Sequence, residues 1–61
     1  MTTICVFIKD TLEAEERLER MTEIFPCFVD IETIEFDYIE VTIQCRVEDA
    51  KGIENRLADL V

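Results

Sequence analysis

Tyr38-Ile39-Glu40-Val41-Thr42-Ile43-Gln44-Cys45-Arg46-Val47 is the segment that decides the fold. Ile39, Val41, Ile43, Cys45 and Val47 alternate with Tyr38, Glu40, Thr42, Gln44 and Arg46, the period of two expected of a strand with one dry and one wet face. The stretch before it, Cys27 to Phe36, reads as its partner, with Val29, Ile31 and Thr33 toward the core. Phe28, Asp30, Glu32, Ile34 and Phe36 then face outward. An odd-length turn around Phe36-Asp37-Tyr38 sets Val29, Ile31 and Thr33 opposite Cys45, Ile43 and Val41. An even loop keeps the faces matched only with a bulge. Asp37 suits the turn.

Outward from this pair lie two helical patterns and one more strand. Ala14, Leu18, Met21 and Phe25, joined by Ile24, trace a stripe at i, i+4, i+7 and i+11. Asp10 with Glu13 has capping-box spacing, and Thr11 is the alternative cap one residue later. Glu13–Arg17 and Glu16–Arg20 are i,i+4 pairs of favourable orientation, and Pro26 stops the helix. At the other end Asp49 can cap a second helix striped by Ala50, Ile53, Leu57, Leu60 and Val61. Gly52 costs that helix about 1 kcal/mol, which close packing against the sheet or the first helix would explain. Thr3-Ile4-Cys5-Val6-Phe7-Ile8 is a strand with both faces apolar, Ile4, Val6 and Ile8 on one and Cys5 and Phe7 on the other.

The order is therefore βαββα within one compact domain, residues 1–61. The expected fold class is α+β, a ferredoxin-like plan lacking the last strand, with two helices on one face of a three-stranded sheet. A right-handed crossover is expected to set the first strand parallel to the third, with the second hairpinned onto the third's outer side. The free edge from Ile4 to Ile8 would expose unpaired backbone. The open face would show Cys5, Phe7, Phe28, Ile34 and Phe36, so Ile4, Val6, Phe7, Phe28 and Ile34 are candidate self-association residues and a homodimer is a candidate state.

Composition sets the limits on function. The chain has 61 residues, 15 acidic against 6 basic, no histidine and a formal net charge of −9. At 49% hydrophobic residues it is too apolar for a disordered acidic tail. Its charge argues against direct binding to nucleic acid or to an anionic membrane. Cys5, Cys27 and Cys45 are odd in number, widely spaced and without a C-x-x-C pair, and the N-terminal residues lack a signal-peptide pattern. The expectation is a cytoplasmic protein with free thiols, no metal site and no cofactor. With no serine and no histidine, serine nucleophiles and cysteine–histidine dyads are excluded, and the lone Gly52 cannot build a phosphate loop. Only carboxylate chemistry remains, so no enzyme is expected.

The acidic residues are unevenly spread. From Met21 through Cys45 no lysine or arginine occurs, while Glu23, Asp30, Glu32, Glu35, Asp37 and Glu40 do. On the first helix Glu15, Glu19 and Glu23 form a row of like charges, which is mildly destabilising. One reading is a solvated surface; carboxylate ligation of a metal is weaker, for want of an EF-hand loop. The sharper reading is a binding surface for a basic partner, carried by Glu15, Glu19, Glu23, Asp30, Glu32, Glu35, Asp37 and Glu40 as phosphate surrogates.

In size and charge, though in no motif, the chain resembles phage-encoded nucleic-acid mimics, anti-CRISPR proteins among them. That resemblance implies a non-enzymatic inhibitor occupying the basic groove of a nucleic-acid-handling protein. Tyr38 through Leu57 also looks somewhat like the strand–helix portion of ACT-type and RAM-type regulators. This implies an oligomeric module that binds a small ligand between subunits. The chain departs from that pattern in having no glycine after the first strand and no closing strand.

Overall fold

The structure is a computed structural model describing residues 1–60; Val61, expected at the end of the second helical stripe, lies outside the described residues. Strand β1 (Thr2–Lys9) leads into helix α1 (Leu12–Ile24), followed by β2 (Cys27–Glu35), β3 (Tyr38–Cys45), a 3-10 turn (Val47–Asp49) and helix α2 (Ala50–Leu57). The sheet order is β1-β3-β2. This is the α+β plan of the ferredoxin-like fold without its last strand.

The strand directions differ from the expectation. β3 is antiparallel to both neighbours. The return through α1 makes β2 run parallel to β1, and the hairpin then reverses β3 before it slots between them. β1 and the third strand are therefore antiparallel, and no two adjacent strands are parallel.

The hairpin takes the even-loop solution with a bulge. Val29 lies opposite Ile43, Ile31 opposite Val41 and Thr33 opposite Ile39, two residues from the odd-turn register, with the irregularity between Thr33 and Glu35. Glu35 then pairs with Tyr38, leaving Phe36-Asp37 as the turn. Asp37 has φ 74°, a left-handed conformation that aspartate tolerates better than most side chains. Its carbonyl accepts the Asp10 N–H at 2.6 Å, which ties the end of β1 to the hairpin tip. Asp10 is thus not the helix cap. Thr11 is, its hydroxyl accepting the Ala14 N–H at 3.1 Å.

β3 ends at Cys45, and Val47, expected on the dry face, is exposed in the 3-10 turn. Both neighbours run out there: Thr2 and Cys27 are the last residues to pair, each with Cys45. The chain then bends over Arg46, whose Nε donates to Asp49 Oδ2 at 2.8 Å and lies 3.6 Å from Glu48. Asp49 spends its carboxylate on Arg46 and makes no capping hydrogen bond to α2.

Both helices cover the even-numbered face of β1 and the odd-numbered face of β3. The core holds Ile4 and Ile8 from β1, Ala14, Leu18 and Met21 from α1, Ile39, Val41, Ile43 and Cys45 from β3, and Ile53 and Leu57 from α2. Gly52 has its close neighbour: a Cβ there would sit 3.0 Å from the tip of the Phe25 ring. That ring carries Arg56 on its face at 5.6 Å and closes α1 at an extended residue before Pro26. Arg17 fastens the helices from above, donating to Asp59 Oδ1 at 2.6 Å, to the Arg56 carbonyl at 2.8 Å and to Glu13 at 3.1 Å. This contact raises the Arg17 pKa and holds the Asp59 carboxyl below the usual carboxylate range.

Candidate functional site

The eight acidic residues singled out in the sequence do not lie on one plane; they wrap around β2. Four occupy the uncovered face of the sheet. There Phe28, Gln44 and Thr3 form one cross-strand row, Asp30, Thr42 and Cys5 the next, then Glu32, Glu40 and Phe7, and finally Glu35, Tyr38 and Lys9. Asp30, Glu32 and Glu35 thus line the β2 column, and Glu40 stands between Glu32 and Phe7. Glu32 directly opposite Glu40 is a like-charge cross-strand pair, which costs stability rather than supplying it.

On the helix side of the same strand, Glu15 and Glu19 join Thr22 in flanking a groove whose apolar wall is Leu18, Val29 and Ile31. Glu23 sits one turn further along α1, beside a shallow depression bounded by Glu16, Glu19 and Arg20. Asp37 marks the hairpin tip. β2 is therefore an edge strand with carboxylates on both of its faces. Seven of the eight residues are exposed and Glu40 is half-buried.

Their lack of ion pairs is the main electrostatic fact. All four ion pairs among the described residues use Arg17 or Arg46, and their acids are Glu13, Glu48, Asp49 and Asp59. None of the eight is among them. The expected Glu16–Arg20 pair is likewise open, whereas Glu13–Arg17 forms at 3.1 Å. Glu13, Glu48, Asp49 and Asp59 are thus neutralised, whereas the β2 flank is not, and neither are Asp10, Glu16 and Glu54.

The candidate self-association residues separate into three groups. Ile4 and Val6 point into the core side; Ile4 is buried, leaving only its backbone edge open, while the Val6 side chain is half-buried. Phe7 and Phe28 are on the open face, 55% and 70% exposed. Gln44, Thr42 and Glu40 of β3 run between them and prevent one continuous aromatic patch. Ile34 falls in the bulge and Phe36 in the turn, so the regular open-face array expected of both is broken there.

Ile31 is less covered than the strand's periodicity implies. It faces the helix side as expected but is half exposed, because α1 covers β2 only as far as Val29. Thr33, also expected inward, is exposed. Cys27 and Cys45 face each other across β2 and β3. Burial, followed by the neighbouring Cys45, pushes the Cys27 thiol pKa up, which keeps it protonated and poorly nucleophilic. Among the described residues no cluster of three or more Cys, Asp or Glu side chains is arranged to hold a metal ion, and no helix is long and apolar enough to cross a membrane. The chain matches no protein-family model, no curated protein and no solved structure.

Proposed function

We propose that this protein is a non-enzymatic acidic binding protein whose β2 flank occupies a basic groove on a nucleic-acid-handling protein. It acts there as a nucleic-acid mimic of the kind phage inhibitors such as anti-CRISPR proteins provide. The observation that supports this reading is the unpartnered state of Glu15, Glu19, Glu23, Asp30, Glu32, Glu35, Asp37 and Glu40, while every ion pair among the described residues is made by an acid outside this set, Glu13, Glu48, Asp49 or Asp59. Facing Glu32 with Glu40 and stacking Glu15, Glu19 and Glu23 along one helix works against stability. Such local conflicts concentrate where a surface serves a partner. Lysine and arginine side chains of the target would relieve both repulsions at once, and charge attraction would speed encounter.

The chain's work is then binding alone, in the cytoplasm, with its three thiols reduced. The groove over Leu18, Val29 and Ile31 accepts the aliphatic stems of the same cationic side chains whose heads reach Glu15 and Glu19. The test is capture of a basic nucleic-acid-binding protein at low salt, repeated with its groove already filled by nucleic acid. Competition between the two supports mimicry, and binding that ignores the nucleic acid refutes it.

A further inference from the structure

The opposite edge of the sheet carries a different message. β1 is the outermost strand on its side. It has eight residues, TTICVFIK, with no acid, no proline and no bulge, and its one charge is Lys9 at the very end. Edge strands normally carry such devices to prevent pairing with another chain. In a molecule of net charge −9, an acid-free edge is also the only sheet edge that a second copy can approach without meeting carboxylates. The β2 edge, with Asp30, Glu32 and Glu35, repels its own copy.

The core side shows the same incompleteness. Ile4 and Ile8 are buried, while Val6 between them stays half-buried. On the other face Cys5 and Phe7 are exposed. An added strand alongside β1 would cover Val6 on one face and Cys5 with Phe7 on the other.

We propose that two copies of this chain associate through β1, antiparallel about a two-fold axis normal to the sheet, to give one continuous six-stranded sheet. The symmetry limits the register. Directly opposite residues in an antiparallel pair point to the same face, so a copy's even-numbered residues must meet even-numbered residues. The two central registers place Cys5 opposite Cys5 of the second copy, or Val6 opposite Val6 of the second copy. Either way Cys5 and Phe7 from both copies form one apolar strip on the open face. The two acidic β2 flanks end up at the far ends of the joined sheet, where their mutual repulsion is least. The association is independent of what the β2 flank binds.

The sign of the salt dependence separates this contact from partner binding. Screening weakens repulsion between two anionic copies, so the dimer dissociation constant should fall about fivefold on going from low to high salt. Capture of a basic partner should move the other way. Sedimentation equilibrium of the full chain reads the dimer directly. Cys5→Glu, at an exposed position, should give a folded monomer by circular dichroism and sedimentation, and mixing it with Cys5→Lys should restore association as a heterodimer. A bis-maleimide of short span should cross-link the wild type through Cys5 and leave Cys5→Ser uncoupled. Hydrogen exchange should slow at the outward amides of β1 on association and stay fast at those of β2. A chain that remains monomeric at high protein concentration and high salt overturns the proposal. So does a dimer that survives Cys5→Glu, or one that Ile31→Glu on the β2 edge abolishes.

Discussion

β1 and β2 bound the same sheet, pair with the same central strand and differ in almost every other respect. β1 contains no acidic residue and one lysine; β2 contains Asp30, Glu32 and Glu35 and no basic residue. β1 has regular pairing from Thr2 to Lys9, while β2 is irregular between Thr33 and Glu35. Two of β1's core-side residues are buried, and none of β2's is. The difference shows that a sheet edge is defined by what the side chains on either face permit, since the unpaired backbone is the same on both. One edge carries no carboxylate, and the other carries three and no cation.

The severest disruption of both edges comes from β3, which they share. Ile43 is fully buried opposite Ile4 and Val29. Ile43→Ala should cost about 2–5 kcal/mol, read from the urea midpoint, and abolish every property of either edge. Ile31→Ala, on the exposed part of β2, should cost less than about 1 kcal/mol. Equal losses would mean that the two positions are equally covered and would remove the asymmetry.

Reversing charge on the acidic edge is the next largest change. Asp30→Lys, Glu32→Lys and Glu35→Lys together should weaken capture of a basic target by about 100-fold or more, measured by surface binding at fixed salt, while association through β1 persists. Undiminished capture would transfer the function away from β2.

A subtler variant sharpens the contrast by separating stability from binding. Glu32→Thr removes the like-charge pair with Glu40 and should stabilise the fold by about 0.2–1 kcal/mol while lowering affinity for the basic partner. A loss of stability would show that Glu32 has a structural role.

The smallest effect lies away from both edges, at the clasp between Arg17 and Asp59. The hydrogen bond from Arg17 lowers the Asp59 pKa in the folded state, so the unfolded chain takes up the proton first. The stability this group adds is present above its unfolded pKa and is lost as pH falls through its lowered folded value. The difference in stability between wild type and Asp59→Asn should therefore shrink toward acid pH. A constant difference would mean that the ion pair is not the source.

Much of this architecture is legible from residue periodicity. Ala14, Leu18 and Met21 at helical spacing, and Ile39 to Cys45 at strand spacing, are all buried where their period puts them, because a dry face can be matched only by apolar side chains recurring at the backbone's own repeat. Gly52 likewise implied a close neighbour, which proved to be Phe25. Terminations were less legible. Val47 continues the alternation of β3 but lies beyond the last residue of either neighbouring strand, and pairing partners are not encoded in a strand's own pattern. Asp10 and Asp49 had capping chemistry to offer; the Asp37 carbonyl took the backbone of the first and Arg46 the side chain of the second.

For the candidate site, the excess of acid and the absence of lysine between Met21 and Cys45 were visible in the chain, and so were the residue types. Their arrangement was not. Whether Glu15 and Glu19 lie near Ile31, and Glu32 against Glu40, depends on which strand α1 covers and on a two-residue shift of register at the Phe36-Asp37 turn. The amino-acid order by itself determined the elements, their inward faces and the charge each carries, because propensity, periodicity and ionisation are local. Only the tertiary structure decided that β3 lies antiparallel between β1 and β2, leaving one bare edge and one acidic edge. Strand order and direction follow from how the helices close over a shared core, a long-range choice that no short stretch of chain can make.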